Sequence, residues 1–125
     1  MLRDATIFSS FSTDRLQESY AFYRDILGLR VELIDDLFLH VYLSQGRYIV
    51  IYQKDNHAPS VYTTLNFQIQ NIEEAVAQLA AEGIVFLQYP EPIKTDSKGI
   101  SWDDKGSHIA WFKDPGGNIL ALIEN

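Results

Sequence analysis

Three histidines, His40, His57 and His108, are the only imidazoles in a chain that has no cysteine. Disulfides, thiolate metal sites and cysteine nucleophiles are therefore excluded. No two of the histidines stand at the short helical or strand spacing that would present both to one ion. His108 opens a strand-like run and could serve as a base if its side chain points into a cleft. A strand histidine satisfied by solvent is the commoner arrangement. Among paired carboxylates, Asp35-Asp36 fall in a tight turn, where adjacent acids are solvated and structural. Glu73-Glu74 fall in the first turn of a helix, where they favour the dipole. Asp103-Asp104 follow Trp102, and that trio could receive a cationic group, with the indole adding a cation–π contact. No glycine-rich phosphate loop and no serine–histidine–acid pattern is legible.

The aromatics are the second chemical resource: seven Tyr, seven Phe and two Trp. Tyr48 and Tyr52 share one face of a strand-like run, and Tyr42 shares a face with Phe38 and His40 on the run before it. If these faces line a cleft, its interior is aromatic and hydroxyl-bearing, suited to stacking a flat organic ligand. Aromatics on an open sheet also serve as core and as dimer surface.

The elements that must position these residues come from periodicity. Alternation over Ala5 to Phe11 predicts a strand. Asp14 with Gln17 reads as a capping box, and Leu16, Tyr20, Tyr23 and Leu27 follow at helical spacing up to Gly28. Strand-like runs Leu29 to Ile34, Leu37 to Leu43 and Arg47 to Gln53 come next, and Lys54 to Ser60 is a polar connector. The pattern then repeats. Thr64 to Ile69 is a strand, and Asn71 with Glu74 caps a helix whose stripe is Ile72, Ala75, Val76, Leu79 and Ala80, closed by Gly83. Ile84 to Tyr89 is a further strand. Ile109 to Phe112 and Ile119 to Ile123 flank Asp114-Pro115-Gly116-Gly117-Asn118 as a hairpin. Each half is β-α-β-β-β, an internal duplication that gives an α+β domain, with helices covering one face of a mostly antiparallel sheet. Module one spans about 5–53, a linker about 54–63 and module two about 64–125. The stretch Pro90 to Gly106 shows little strand or helix signal, and its length marks Trp102 and Asp103 as candidate lid contacts to a ligand.

The chain of 125 residues suits a single domain able to bury a sizeable core. Net charge is −7 and the pI about 4.7, which disfavours nucleic acid and anionic membrane and mildly favours cationic ligands. No run approaches a membrane span, and Met1-Leu-Arg-Asp-Ala lacks the apolar core of a signal peptide, so a cytoplasmic protein is expected.

Ser19-Tyr-Ala-Phe-Tyr-Arg-Asp-Ile-Leu-Gly-Leu-Arg-Val-Glu32 resembles the first-helix signature of the vicinal oxygen chelate superfamily, which includes glyoxalase I, bleomycin-resistance proteins and extradiol dioxygenases. Phe112-Lys-Asp-Pro-Gly-Gly-Asn118 resembles its last hairpin, and Asn66-Phe-Gln-Ile-Gln-Asn-Ile-Glu-Glu-Ala75 the start of its second module. The resemblance covers essentially the whole chain. It implies two tandem βαβββ modules forming a U-shaped mixed, mostly antiparallel sheet cleft with helices outside, often in a homodimer. In metal-dependent members one side chain from the first strand of each module, usually His or Gln, and one from the last, usually Glu, hold a divalent ion open to vicinal oxygens.

Carried over position by position, those ligands fall at Thr6 or Phe8, near Tyr52 or Gln53, at Thr64 and at Ala121. Alanine cannot bind a metal, and threonines do not replace imidazoles. The resemblance thus implies a glyoxalase/bleomycin-resistance-like protein that binds a small organic molecule in its cleft without metal or other cofactor. The expected ligand-binding residues are Phe8, Tyr42, Tyr48, Tyr52, Thr64, Trp102, Asp103 and Ala121. The alternative is a metal-dependent glyoxalase-like lyase or isomerase, or a dioxygenase, or acid–base chemistry by His108 or Asp103. A homodimer is expected, with no nucleic-acid or membrane partner.

Overall fold

Alternation of buried and half-exposed residues decides where the first sheet lies. In the computed structural model, which describes Met1–Asn125, Leu39, Val41, Ile49 and Ile51 are buried and alternate with Phe38, His40, Tyr42, Tyr48 and Tyr52. Burying each aliphatic side chain contributes about 1.5–3 kcal/mol, so the aliphatic face is held against a helix and the aromatic face is turned away from it. The chain divides into two compact units, Met1–Ala58 and Pro59–Asn125.

In the first unit β1 (Ser10–Thr13) leads into α1 (Leu16–Ala21), which continues through a wider π turn over Phe22–Ile26. Three strands follow: β2 (Val31–Ile34), β3 (Phe38–Tyr42) and β4 (Tyr48–Gln53). The sheet order is β1-β4-β3-β2, with β1 parallel to β4 and the other pairs antiparallel. Helix α1 packs on β2, β3 and β4. It buries Leu16, Ser19, Phe22 and Tyr23.

The second unit repeats this plan with β5 (Thr63–Gln68), α2 (Ile72–Ala81), β6 (Ile100–Trp102), β7 (His108–Lys113) and β8 (Ile119–Glu124). Its order is β5-β8-β7-β6, again with the first strand parallel to the last. The architecture is therefore α+β, two tandem βαβββ modules. Asn71 caps α2 by accepting the Glu74 amide at 3.1 Å. The Asp114–Asn118 turn is buried. Asp114 Oδ1 accepts the Asn118 amide at 2.9 Å, and both side chains are at most 5% exposed. No helix is long and apolar enough to cross a membrane.

Four expectations are corrected. The first strand begins at Ser10, not Ala5. Ser10 pairs with Val50, which puts Phe8 opposite Tyr48, the first residue of β4. Residues ahead of Phe8 run past the end of that partner, and Ile7 is left 81% exposed. Asp14 is not the cap of α1. The Arg15 amide donates instead to Thr13 Oγ1 at 3.1 Å, and Thr13 is fully buried beside Ser19 Oγ. The Ile84–Tyr89 run is not a strand of the sheet. It is tied to β7 by the Leu87 amide donating to the Trp111 carbonyl at 2.8 Å and by ring contacts of Phe86 with Phe112 and Tyr89 with Trp111, without a strand ladder. The neighbouring part of that edge is taken by β6 pairing with His108–Ala110. The stretch Pro90 to Gly106 accordingly contains a strand, and Trp102 ends it.

Asp96 holds β6 in place. Its Oδ1 accepts the amides of Lys98 and Ile100 at 2.8 and 3.0 Å, and its Oδ2 accepts the Trp102 indole N–H at 2.8 Å. Partial burial pushes the carboxyl up. The indole N–H, the two amides and the Lys98 charge outweigh that, so Asp96 sits below the usual carboxylate range. The stabilisation needs the ionised form. It is present above the unfolded-state value of about 3.9 and is lost as pH falls through the lower folded-state value. Asp96→Ala should cost about 1–2 kcal/mol near neutral pH. In denaturant titrations followed by tryptophan fluorescence, that difference should shrink as the pH falls below about 4. A difference that stays constant with pH would show that the carboxylate does not hold the turn.

Candidate ligand-binding site

The β3–β4 register brings one set of side chains together on the aromatic face. Phe38 pairs with Tyr52, His40 with Val50 and Tyr42 with Tyr48. The His40 imidazole lies flat on the Tyr48 ring, centroids 4.6 Å apart and planes 11° from parallel. Phe8 stacks on Tyr48 at 5.2 Å and 29°. Tyr42 closes the group at 6.2 Å from both His40 and Tyr48. Such pairs contribute about 0.5–1.5 kcal/mol each beyond their buried area, so the rings are mutually ordered while Phe8 stays 51% exposed.

Polar groups stand at the Tyr42 end. The Tyr42 hydroxyl donates to Glu32 Oε2 at 3.0 Å, and the Arg30 guanidinium lies 4.9 Å from the Tyr42 ring centroid. The bond to Glu32 raises the Tyr42 phenol above its ordinary range, desolvation adds to the rise, and Arg30 works the other way. At the opposite end Ser12, paired with Tyr52 on β1, lies 2.6 Å from His57 Nδ1. The arrangement suits a flat molecule that stacks on the rings and presents a hydrogen-bond donor or cation to Glu32.

Three of the expected ligand residues, Phe8, Tyr42 and Tyr48, are thus assembled in the first unit. Tyr52 shares their face. Thr64, Trp102, Asp103 and Ala121 belong to the second unit. Thr64 turns its hydroxyl back to the Ile119 carbonyl at 3.1 Å. Asp103 Oδ1 accepts the Lys105 and Ser107 amides at 2.8 and 2.9 Å, which makes it a turn residue. Trp102 is tied to Asp96 and lies 4.3 Å from the His108 ring. His108 lies on the face of β7 that carries Ala110 and Phe112, both fully buried, and its Nε2 lies 3.6 Å from Glu124. Glu124 in turn accepts the Ile72 amide at the start of α2 at 2.8 Å. Sequence reasoning passed over Arg30, Glu32 and the Ser12–His57 bond. The two-residue alternation of Arg30 and Glu32 just ahead of and into β2 was the available signal for the first two.

The donor set can be tested against a metal from the repeat itself. Ser10 and Asn66 each precede the first residue of the following helix, Leu16 and Ile72, by six positions. Ser10 pairs with Val50 and Asn66 with Ala121. The fourth-strand position is therefore Val50, not Tyr52, and the first-strand position is Phe8, not Thr6. Within the first unit the pair is Phe8 and Val50; within the second it is Thr64 and Ala121. Two hydrocarbons, an engaged hydroxyl and a methyl do not fit a divalent ion. Nowhere do three His, Asp or Glu side chains converge.

The comparisons with known proteins agree on the fold. A lactoylglutathione lyase from Agrobacterium tumefaciens is 18% identical, with 98% of this chain and 96% of that chain covered and a TM-score of 0.70. A glyoxalase family protein from Enterococcus faecalis is 23% identical, with 99% and 100% covered and a TM-score of 0.67. A superfamily member from Sphaerobacter thermophilus is 22% identical, with 96% and 98% covered and a TM-score of 0.66. No curated protein is significantly similar in sequence. The family model described as Glyoxalase/Bleomycin resistance protein/Dioxygenase superfamily matches residues 8–122. Matched along nearly its whole length, this chain belongs to the Glyoxalase/Bleomycin resistance protein/Dioxygenase superfamily.

Proposed function

We propose that this protein binds a planar organic molecule on the aromatic face of its first sheet, without a metal ion or other cofactor. The observation that carries the reading is the Phe8–Tyr48–His40 stack, bordered by Tyr42 and Glu32. Stacked rings left part-exposed offer π faces to a flat ligand at little ordering cost. Glu32 and the net charge of −7 favour a cation at the Tyr42 end. The role is sequestration or delivery of the ligand rather than turnover. The four family ligand positions hold Phe8, Val50, Thr64 and Ala121, and no observation favours a metal-dependent lyase, isomerase or dioxygenase. Trp102 and Asp103, with their hydrogen bonds spent on their own turns, are not assigned to this site.

The reading extends to a homodimer in the cytoplasm. Ile7, Leu37, Phe38, Leu43, Val61 and Tyr62 are each at least 40% exposed, apolar surface that a second copy of the chain could cover.

Three measurements check these statements. In a calorimetric screen, a planar cation such as proflavine should bind better than its neutral acridine parent. Tyr48→Ala should weaken that binding about five- to tenfold, in line with the loss of roughly 1–1.5 kcal/mol of stacking. Glu32→Gln should reduce the preference for the cation and spare the neutral compound. Equal binding by the Tyr48→Ala variant would overturn the site. Untagged protein incubated with Ni²⁺, Zn²⁺ or Fe²⁺ and then desalted should retain no stoichiometric metal, and retention of one ion per chain would reject the metal-free reading. Light scattering at micromolar concentration should give twice the chain mass of 14.3 kDa; the mass of a single chain would remove the dimer.

A further inference from the structure

We propose that the second unit carries a separate site for a small amphipathic carboxylate, in a cavity between α2 and the extended segment that follows it. The cavity measures about 500 Å³, within the roughly 300–1,000 Å³ of small-molecule sites. Its apolar walls are Val76, Ala77 and Ala80 of α2 and Ile84, Val85 and Phe86 of the segment after it. Its polar lining is Gln88, Ser97 and Lys98. This reading does not depend on the aromatic face of the first unit.

Local sequence explains why the space exists. Ala77 and Ala80 are small residues on an exposed part of α2, so the helix offers bare apolar surface but no bulk to fill the gap. Residues 84–86 do not join the sheet, and Val85 is left 82% exposed. The far wall is fixed by Gly99. Its φ is +89°, and a Cβ there would come within 2.6 Å of Phe86 Cβ, so only glycine lets the 97–99 turn close on Phe86. The Gln88 side-chain amide donates to the Ser97 carbonyl at 3.4 Å and joins the two walls.

The charge at the mouth selects the ligand. Lys98 is the only ionisable residue lining the cavity. Its backbone is held by Asp96 Oδ1, yet Lys98 takes part in none of the ion pairs of the structure. The nearest acid, Asp96, already accepts two amides and an indole N–H. The Lys98 charge is felt by Asp96, but no carboxylate lies within ion-pair distance of it. In an acidic protein such an ammonium beside an apolar hollow favours a ligand with a hydrocarbon body and one anionic end. Ser97 and Gln88 supply further polar contacts for the carboxylate oxygens.

Decanoate, with decanol as the uncharged comparison, tests this by amide chemical-shift mapping on the full chain. Decanoate should shift the amides of Val76, Ala80, Val85, Ser97 and Lys98 saturably and bind several-fold tighter than decanol. Lys98→Glu should weaken decanoate about three- to fivefold, the scale of a solvent-exposed charge pair, and Lys98→Arg should leave it within about twofold. Ala80→Phe, a change at an exposed helix position, should fill the hollow and abolish the shifts with the fold intact. The proposal is overturned if decanol binds as well as decanoate, if Lys98→Glu or Ala80→Phe leaves affinity unchanged, or if the shifts fall on Tyr48 and His40 instead.

Discussion

The candidate site depends on the register between β3 and β4. Side chains alternate along a strand, so a slip of β4 by one residue would carry Tyr48 to the α1 side and expose Ile49 and Ile51, and a slip of β3 would do the same to His40 and Tyr42 against Leu39 and Val41. Those four aliphatics are at most 6% exposed, and losing their burial would cost about 1.5–3 kcal/mol apiece. The hydrophobic face therefore fixes the geometry of the aromatic face, although the two share no atoms. The Phe8–Tyr48 stack adds the N-terminal segment to the same constraint, because Phe8 reaches Tyr48 only when Ser10 pairs with Val50.

The second unit has an equivalent anchor of a different chemical kind. Its last hairpin is tied down by polar groups, with Asp114 and Asn118 buried and Ser60 half-buried. Asn118 Oδ1 accepts the Ser60 amide at 3.3 Å, and Ser60 Oγ accepts the Ile119 amide at 3.1 Å. Pro59 packs where a Cβ on Gly117 would come within 3.1 Å. Buried polar groups are costly unless paired, and here each bond links the start of the unit to its final turn. The parallel pairing of β5 with β8 follows from that link, since it sets both strands off from one corner. Asp114 and Asn118 could be read from sequence as turn residues. Their partnership with Ser60, 58 positions from Asn118, could not, because a hydrogen bond across that separation leaves no local pattern.

Much of the fold was legible because it rests on local periodicity. The duplicated βαβββ plan, α2 with its Asn71 cap, the closing glycines at positive φ and the last hairpin all follow from short-range rules. The errors fell where a long-range competitor decides. Ile84–Tyr89 has strand composition, but β6 takes most of the β7 edge. Ala5–Ile7 alternates like a strand, but β4 ends before it can supply partners. Asp14 does not cap α1, whose N-cap position is Arg15 with no side-chain cap; the neighbouring Arg15 amide goes to Thr13, buried next to Ser19. The site was half legible for the same reason. Phe8, Tyr42 and Tyr48 stand on faces that a two-residue period identifies. Arg30, Glu32 and the Ser12–His57 bond depend on which strand lies beside which.

The repeat also shows what stands at the positions where the family pattern would place metal donors. In each unit the first-strand and last-strand positions have both changed, to Phe8 and Val50 in one and to Thr64 and Ala121 in the other. A single lost donor would leave a weakened metal site with buried polar groups needing partners. Here the change is complete within each unit, and the replacements are satisfied as they stand. Phe8 stacks on Tyr48, Val50 and Ala121 are buried hydrocarbons, and the Thr64 hydroxyl is bonded to backbone. Nothing at these positions waits for an ion. A flat molecule laid on the first sheet would be oriented by stacking geometry and by one carboxylate at its edge. A surface of this composition presents rings that can match a flat shape and a carboxylate that can match a charge.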